Sequence, residues 1–207
     1  MVVYDVVSVG DTVSASGGGT FSGGVSFVGD ISSSTLGTSN FRAGINAGNS
    51  IVSGGNNNTV VGDEAGTAIT TGDRNTSVGS CSLITVSTGS RNTAIGYNSL
   101  KLNTGSCNTG IGEQALTSNT TGAKNTGIGR GVLAANTEGD NNTAIGDGSL
   151  DSNTTADNNT AVGSLSLSAN TTGSNNTTAG KESLLANTTG VDNTAFGSEA
   201  LKTSSTA

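Results

Sequence analysis

Asn125-Thr126-Gly127-Ile128-Gly129-Arg130-Gly131-Val132-Leu133-Ala134-Ala135-Asn136-Thr137-Glu138-Gly139-Asp140-Asn141 is one turn of a pattern that fills most of this chain. The Asn-Thr pair that opens it recurs at Asn58, Asn75, Asn92, Asn108, Asn125, Asn142, Asn159, Asn176 and Asn193, in steps of 17 residues with one step of 16 after Asn92. A unit this short cannot bury an apolar face alone, so successive units must stack on one another. Residues 58–201 therefore read as a parallel β-roll, or β-solenoid, of nine 17-residue coils.

Numbering the unit from its first Asn gives seventeen columns, with the consensus Asn-Thr-Ala-Ile-Gly-x-x-Ser-Leu-x-x-Asn-Thr-Thr-Gly-x-x. Two Gly-bounded segments per unit predict two short extended stretches joined by two tight corners. Column four is aliphatic or aromatic throughout (Val61, Val78, Ile95, Ile111, Ile128, Ile145, Val162, Ala179, Phe196), and column nine is Leu from Leu83 to Leu201. The expectation is that these two ladders meet inside, with Ile95, Ile111, Ile128 and Ile145 facing Leu100, Leu116, Leu133 and Leu150 as the structural core. Column one is always Asn, and column twelve is Asn from Asn103 to Asn187. Amides stacked at the ~4.8 Å strand spacing can bond along the axis, and nine coils would make a rod of roughly 40–45 Å. Column three is small (Ser77, Ala94, Gly110, Gly127, Ala144, Ala161, Thr178, Ala195). It reads as a face against which a second copy of the rod can come close.

Composition narrows the chemistry. The 207 residues include 33 Gly, no Pro, no Trp and no His, with 3% aromatic and 11% charged residues. Without large side chains an ordinary core is excluded, while low charge and strict apolar spacing argue against disorder. The lack of His removes the commonest general base and metal ligand, so no enzyme, no cofactor and no metal are expected. A net charge of −7 disfavours a nucleic-acid partner. No stretch approaches the length of a membrane span and no secretion signal is visible at Met1-Val2-Val3-Tyr4, which predicts a soluble protein made in a cytoplasm. Gly110-Ile111-Gly112 and Gly127-Ile128-Gly129 belong to the repeat and precede no helix, so they are not phosphate loops. Asp140 and Asp157 fall on adjacent coils and could hold a cation weakly, with solvated corners as the alternative. Cys81 and Cys107 lie in different columns and read as two unpaired thiols.

Asn-Thr-Ala-Ile-Gly followed by Ser/Ala-Leu resembles the head repeat of the YadA-type trimeric autotransporter adhesins, a repeat also found in fibre and appendage proteins of tailed bacteriophages. The resemblance covers about 70% of the chain and recurs nine times in register. It implies a left-handed roll, three chains packed side by side, and a role in surface attachment. The 17-residue unit is longer than the adhesin repeat.

Residues 1–40 do not repeat, and alternating apolar positions at Val7, Val9 and Val13 and at Val25, Phe27 and Ile31 predict short strands. They read as a β-rich attachment and oligomerisation region joining other virion proteins. Residues 41–57 read as a capping coil and 202–207 as a polar tail that blunts the last edge. With no stalk or membrane anchor recognisable, the expected function is a homotrimeric virion structural protein, a phage fibre or spike that attaches to a glycan or protein of the host surface. Alternatives are a capsid decoration protein, a cellular adhesin head, and an ice-binding solenoid using the Thr59–Thr194 column. Recognition would use the variable corner columns, where Tyr97, Arg130 and Lys181 are the candidate exposed contacts.

Overall fold

The computed structural model describes residues 37–206. The strands expected at Val7–Val13 and Val25–Ile31 lie outside the described residues, as does most of the attachment region. Among the described residues every strand is three residues long: β1 Phe41–Ala43, β2 Thr59–Val61, β3 Thr76–Val78, β4 Thr93–Ile95, β5 Thr109–Ile111, β6 Thr126–Ile128, β7 Thr143–Ile145, β8 Thr160–Val162, β9 Thr177–Ala179 and β10 Thr194–Phe196. They form one ten-stranded parallel sheet in sequence order. The register never slips: Thr pairs with Thr and column four with column four on each step, as in Thr126↔Thr143 and Ile128↔Ile145. The described part of the chain is thus an all-β solenoid, and the 16-residue unit shortens a corner without disturbing the ladder.

Each coil holds one strand, not two. The segment carrying the column-nine leucines is a run of turns, because columns seven and nine both take left-handed backbone conformations. Gln114 and Leu116 have φ of 58° and 53°, and Leu133 and Leu150 have φ of 50° and 51°. Such residues cannot continue a pleated strand. Hydrogen bonds to the next coil persist through these turns, from Leu116 N to Val132 O at 2.9 Å and from Leu133 N to Ser149 O at 3.1 Å. Column five requires glycine: Gly129 has φ 140°, and a Cβ there would lie 2.7 Å from the backbone of Gly146.

Strand alternation decides what is inside, and it corrects the expected core. Column three is the inward residue of each strand: Val60, Ala94, Ala144 and Ala161 are fully buried. Column nine packs beside it, with Leu83, Leu100, Leu116, Leu133, Leu150, Leu167 and Leu184 all fully buried. Column four, one residue after column three, must point the other way. Ile95, Ile128 and Ile145 are each 38% exposed, and Ile111 is half-buried, so none of them belongs to the interior. The small third column is accordingly no docking face; it is small because the leucines opposite fill the coil.

The interior is also polar. In column twelve the Nδ2 of each Asn after Asn103 donates to the Oδ1 of the preceding coil: Asn119 to Asn103 and Asn136 to Asn119 at 2.6 Å, Asn153 to Asn136 at 2.8 Å. Each also donates to a column-fifteen carbonyl, as Asn136 does to Gly139 O at 3.0 Å. In column one the backbone N–H of each Asn donates to the side-chain oxygen before it, as from Asn125 to Asn108 at 2.9 Å. The two ladders satisfy buried amides that would otherwise be costly, with the Nδ2 of Asn159 in column one left without a partner. In the first three coils column twelve is Ile51, Ile69 and Val86 instead, an apolar stretch below the amide stack.

Residues 40–57 wind as a further coil at the N-terminal end of the ladder, with Asn40 in column one and β1 paired to β2. Its inward column carries Arg42, whose guanidinium donates to Gly48 O at 2.9 Å while the stem lies over the first rung.

Candidate functional site

Two outward features could serve function: the solvent face of the sheet, and the corner made by columns six, seven and ten. On the sheet face, column four forms an uninterrupted ladder from Val61 to Phe196, and Phe196 is 68% exposed. The column-two threonines alternate with it on the same side, half-buried or exposed in every strand. The face is therefore one row of hydroxyls beside one row of aliphatic groups, each repeating with the strand spacing of about 4.8 Å.

Tyr97, Arg130 and Lys181 are all exposed and all lie in column six, at the end of the sheet face. They stand on the third, fifth and eighth units, so no two of them occupy adjacent coils and the structure does not gather them into one cluster. Arg130 is held by a neighbour: its Nη2 meets both carboxylate oxygens of Asp147, one coil on, at 3.1 Å. Lys181 pairs with Glu182 at 3.1 Å, and Lys202 completes that cluster against Glu182 and Glu199.

The acids singled out for a cation are already engaged. Asp140 Oδ1 accepts the backbone N–H of Ala123 at 2.7 Å, and Asp157 Oδ1 that of Asp140 at 2.7 Å. Column sixteen is thus a capping ladder, continued by Asp73, which accepts from Asn56 N. Among the described residues no group of three or more potential metal ligands occurs, and no helix is long and apolar enough to cross a membrane. Cys81 is partly exposed and Cys107 exposed, and they are not bonded to each other.

One concavity was not anticipated. A notch of about 310 Å³ opens between Gln114, Arg130, Gly131, Asp147, Asp151 and Leu165. Column seven carries a side chain in every unit except two consecutive ones, where Gly131 and Gly148 replace it. A Cβ built on Gly131 would meet nothing within 4 Å. Asp151 lies half-buried at the floor, and no described residue donates a hydrogen bond to its carboxylate. Burial first, and the Asp147 charge second, push its pKa above the ordinary carboxylate value. The paired glycines were visible in the sequence, but only the stacking of columns six, seven and ten shows that they open onto two carboxylates.

No protein-family model, no curated protein and no solved structure matches this chain.

Proposed function

We propose that the protein is a structural rod of a bacteriophage particle, three copies packed side by side through the outward sheet face, attaching the particle to a host surface. The observation that carries this reading is the unbroken aliphatic column on the solvent side of a parallel sheet. Parallel sheets are ordinarily covered on both faces, and here only the coil interior covers one. A ladder of Val and Ile at a fixed spacing of about 4.8 Å is best matched by a surface with the same rise, and a second copy of this chain has it. That the number of copies is three is what the resemblance to the YadA-type head repeat implies. The role is mechanical: no step of it needs a cofactor or a nucleophile, and corner contacts weak in one chain gain avidity in three. Residues 1–40 supply the attachment to other virion proteins.

Gold-labelled antibody against the C-terminal tail, imaged on intact particles, tests the placement. Labels on fibres or spikes agree with the proposal; labels scattered over the shell favour a decoration protein. If the gene stands among secretion genes and no particle carries the label, the cellular adhesin head takes its place.

A second reading has one specific observation in its favour. Threonines and aliphatic groups share one flat, regular outward face, a surface able to order water. Thermal hysteresis in a dilute solution of the protein would support an ice-binding role; the fibre reading predicts none.

A further inference from the structure

The notch points to a ligand of definite chemistry. Its floor is the unpartnered Asp151 carboxylate, its rim the Arg130–Asp147 pair, and its sides Gln114 and the aliphatic chain of Leu165. The two carboxylates exceed the single guanidinium, and the chain as a whole carries −7, so phosphate, sulfate and acidic sugars are repelled. With Arg130 paired to Asp147, a metal dication or an ammonium group would have Asp151 alone to bind, and no group of three or more potential metal ligands occurs among the described residues. A hydrocarbon ligand has only Leu165 and Ala134 to touch. What remains is a neutral group rich in hydroxyls, each able to donate to a carboxylate and to accept from a guanidinium or amide. An ionised carboxylate receiving O–H donors makes bonds about twice as strong as neutral ones, and two vicinal hydroxyls suit its two oxygens. At about 310 Å³ the space is at the small end of ligand sites and takes one ring.

We infer that the notch cut by Gly131 and Gly148 is a subsite for one neutral hexose unit of a saccharide, with Asp151 accepting two vicinal hydroxyls, Arg130 and Gln114 bonding a third, and Leu165 lying against the C–H face of the ring. The inference deepens the host-attachment reading and rests on it for its purpose, but its geometry is complete in a single chain. With no aromatic platform the affinity of one site is low, in the millimolar range, and useful attachment comes from several copies.

The backbone supplies its own control. Column seven is left-handed in every coil, with Gln114 at φ 58° and Gly131 at φ 59°, so glutamine at residue 131 adopts a conformation that its neighbour already holds. Gly131→Gln therefore fills the notch without straining the coil. The test is a titration of the full-length, 15N-labelled protein with glucose, galactose, mannose and N-acetylglucosamine, each to tens of millimolar, followed by amide shifts. The expected result is saturable movement of the Gly131 and Gly148 resonances with at least one sugar. Gly131→Gln abolishes the response of Gly148, and Asp151→Asn weakens binding about tenfold or more while both keep the wild-type melting temperature. The inference is overturned if all four sugars leave both glycines unmoved, if either variant responds as the wild type does, or if calcium chloride alone gives the same shifts. Failure here leaves the packing of the outward sheet face untouched, since that is read from the particle mass. A chain that binds sugar yet stays monomeric would remove the fibre reading alone.

Discussion

Individual side chains in this coil are chosen against their neighbours along the axis and across the lumen. Where column eight is Val132, column three is Gly127, and a Cβ on Gly127 would lie 3.0 Å from Val132 Cγ1. Where column three is Val60, column nine is Gly66, whose Cβ would lie 3.2 Å from Val60 Cγ1. Large and small residues thus exchange across a lumen of fixed volume, as close packing demands. Gly127→Ala should cost about 1–3 kcal/mol by overpacking, and Val132→Ala in the same chain should recover most of it, measured by urea unfolding. The amide ladder makes a stricter demand. Asn136→Ile puts the residue type of Ile69 into column twelve, yet it strands Asn119 Oδ1 and removes the acceptor of Asn153 Nδ2. A loss of about 2–5 kcal/mol is expected on the same measurement, because the orphaned groups stay buried. A neutral outcome would mean that the ladder adds nothing to stability.

The coil is the unit that fails or holds. Leu133→Ala, in the turn segment, should cost about 2–5 kcal/mol and show it in the melting temperature. Ile128→Asp, only five residues earlier but outside, should leave the fold of the single chain intact. That contrast also shows how much of the fold could be read beforehand. Period, parallel stacking, amide ladders and the Leu column follow from spacing alone, since a repeat in register forces like residues above like. The inward choice between columns three and four did not, because hydrophobicity pointed to the Ile column while strand alternation favours whichever residue fits opposite leucine. The second stretch looked extended because nothing in leucine announces a left-handed backbone. The notch escaped notice for a related reason: glycine in a corner is ordinary, and only its coincidence with Asp147 and Asp151 on stacked turns makes a concavity. At the C-terminal end, Lys202 and then Lys181 hydrogen-bond Glu182 and hold its carboxyl below the usual value, while Glu182 holds Lys202 above its own. A depressed carboxyl pKa contributes stability above the unfolded value, lost as pH falls through the folded one. The last coils should therefore loosen below about pH 4.3, and Lys202→Met should flatten that acid limb in thermal melts. An unchanged limb in the variant would place the acid sensitivity elsewhere.

The proposed association of copies would depend on the outward face more than on anything inside the coil. Burying the column along its nine rungs from Val61 to Phe196 would give copies a reason to associate, and the shared rise would give them a register in which to do it. Ile128 and Ile145 sit mid-ladder on that face, each 38% exposed in the single chain. Charges placed there would meet their own copies in a dry seam, at a cost no rim contact could offset. The sugar subsite, if three chains stand together, would appear three times around the rod and turn a weak contact into a lasting one. Sedimentation equilibrium on the wild type and on an Ile128→Asp, Ile145→Asp double variant, each paired with a far-ultraviolet spectrum, tests this most directly. The wild type should sediment at three times the 20.0 kDa chain mass and the variant at the single-chain mass, with the same β spectrum in both. A monomeric wild type, or a variant that still assembles, would contradict it.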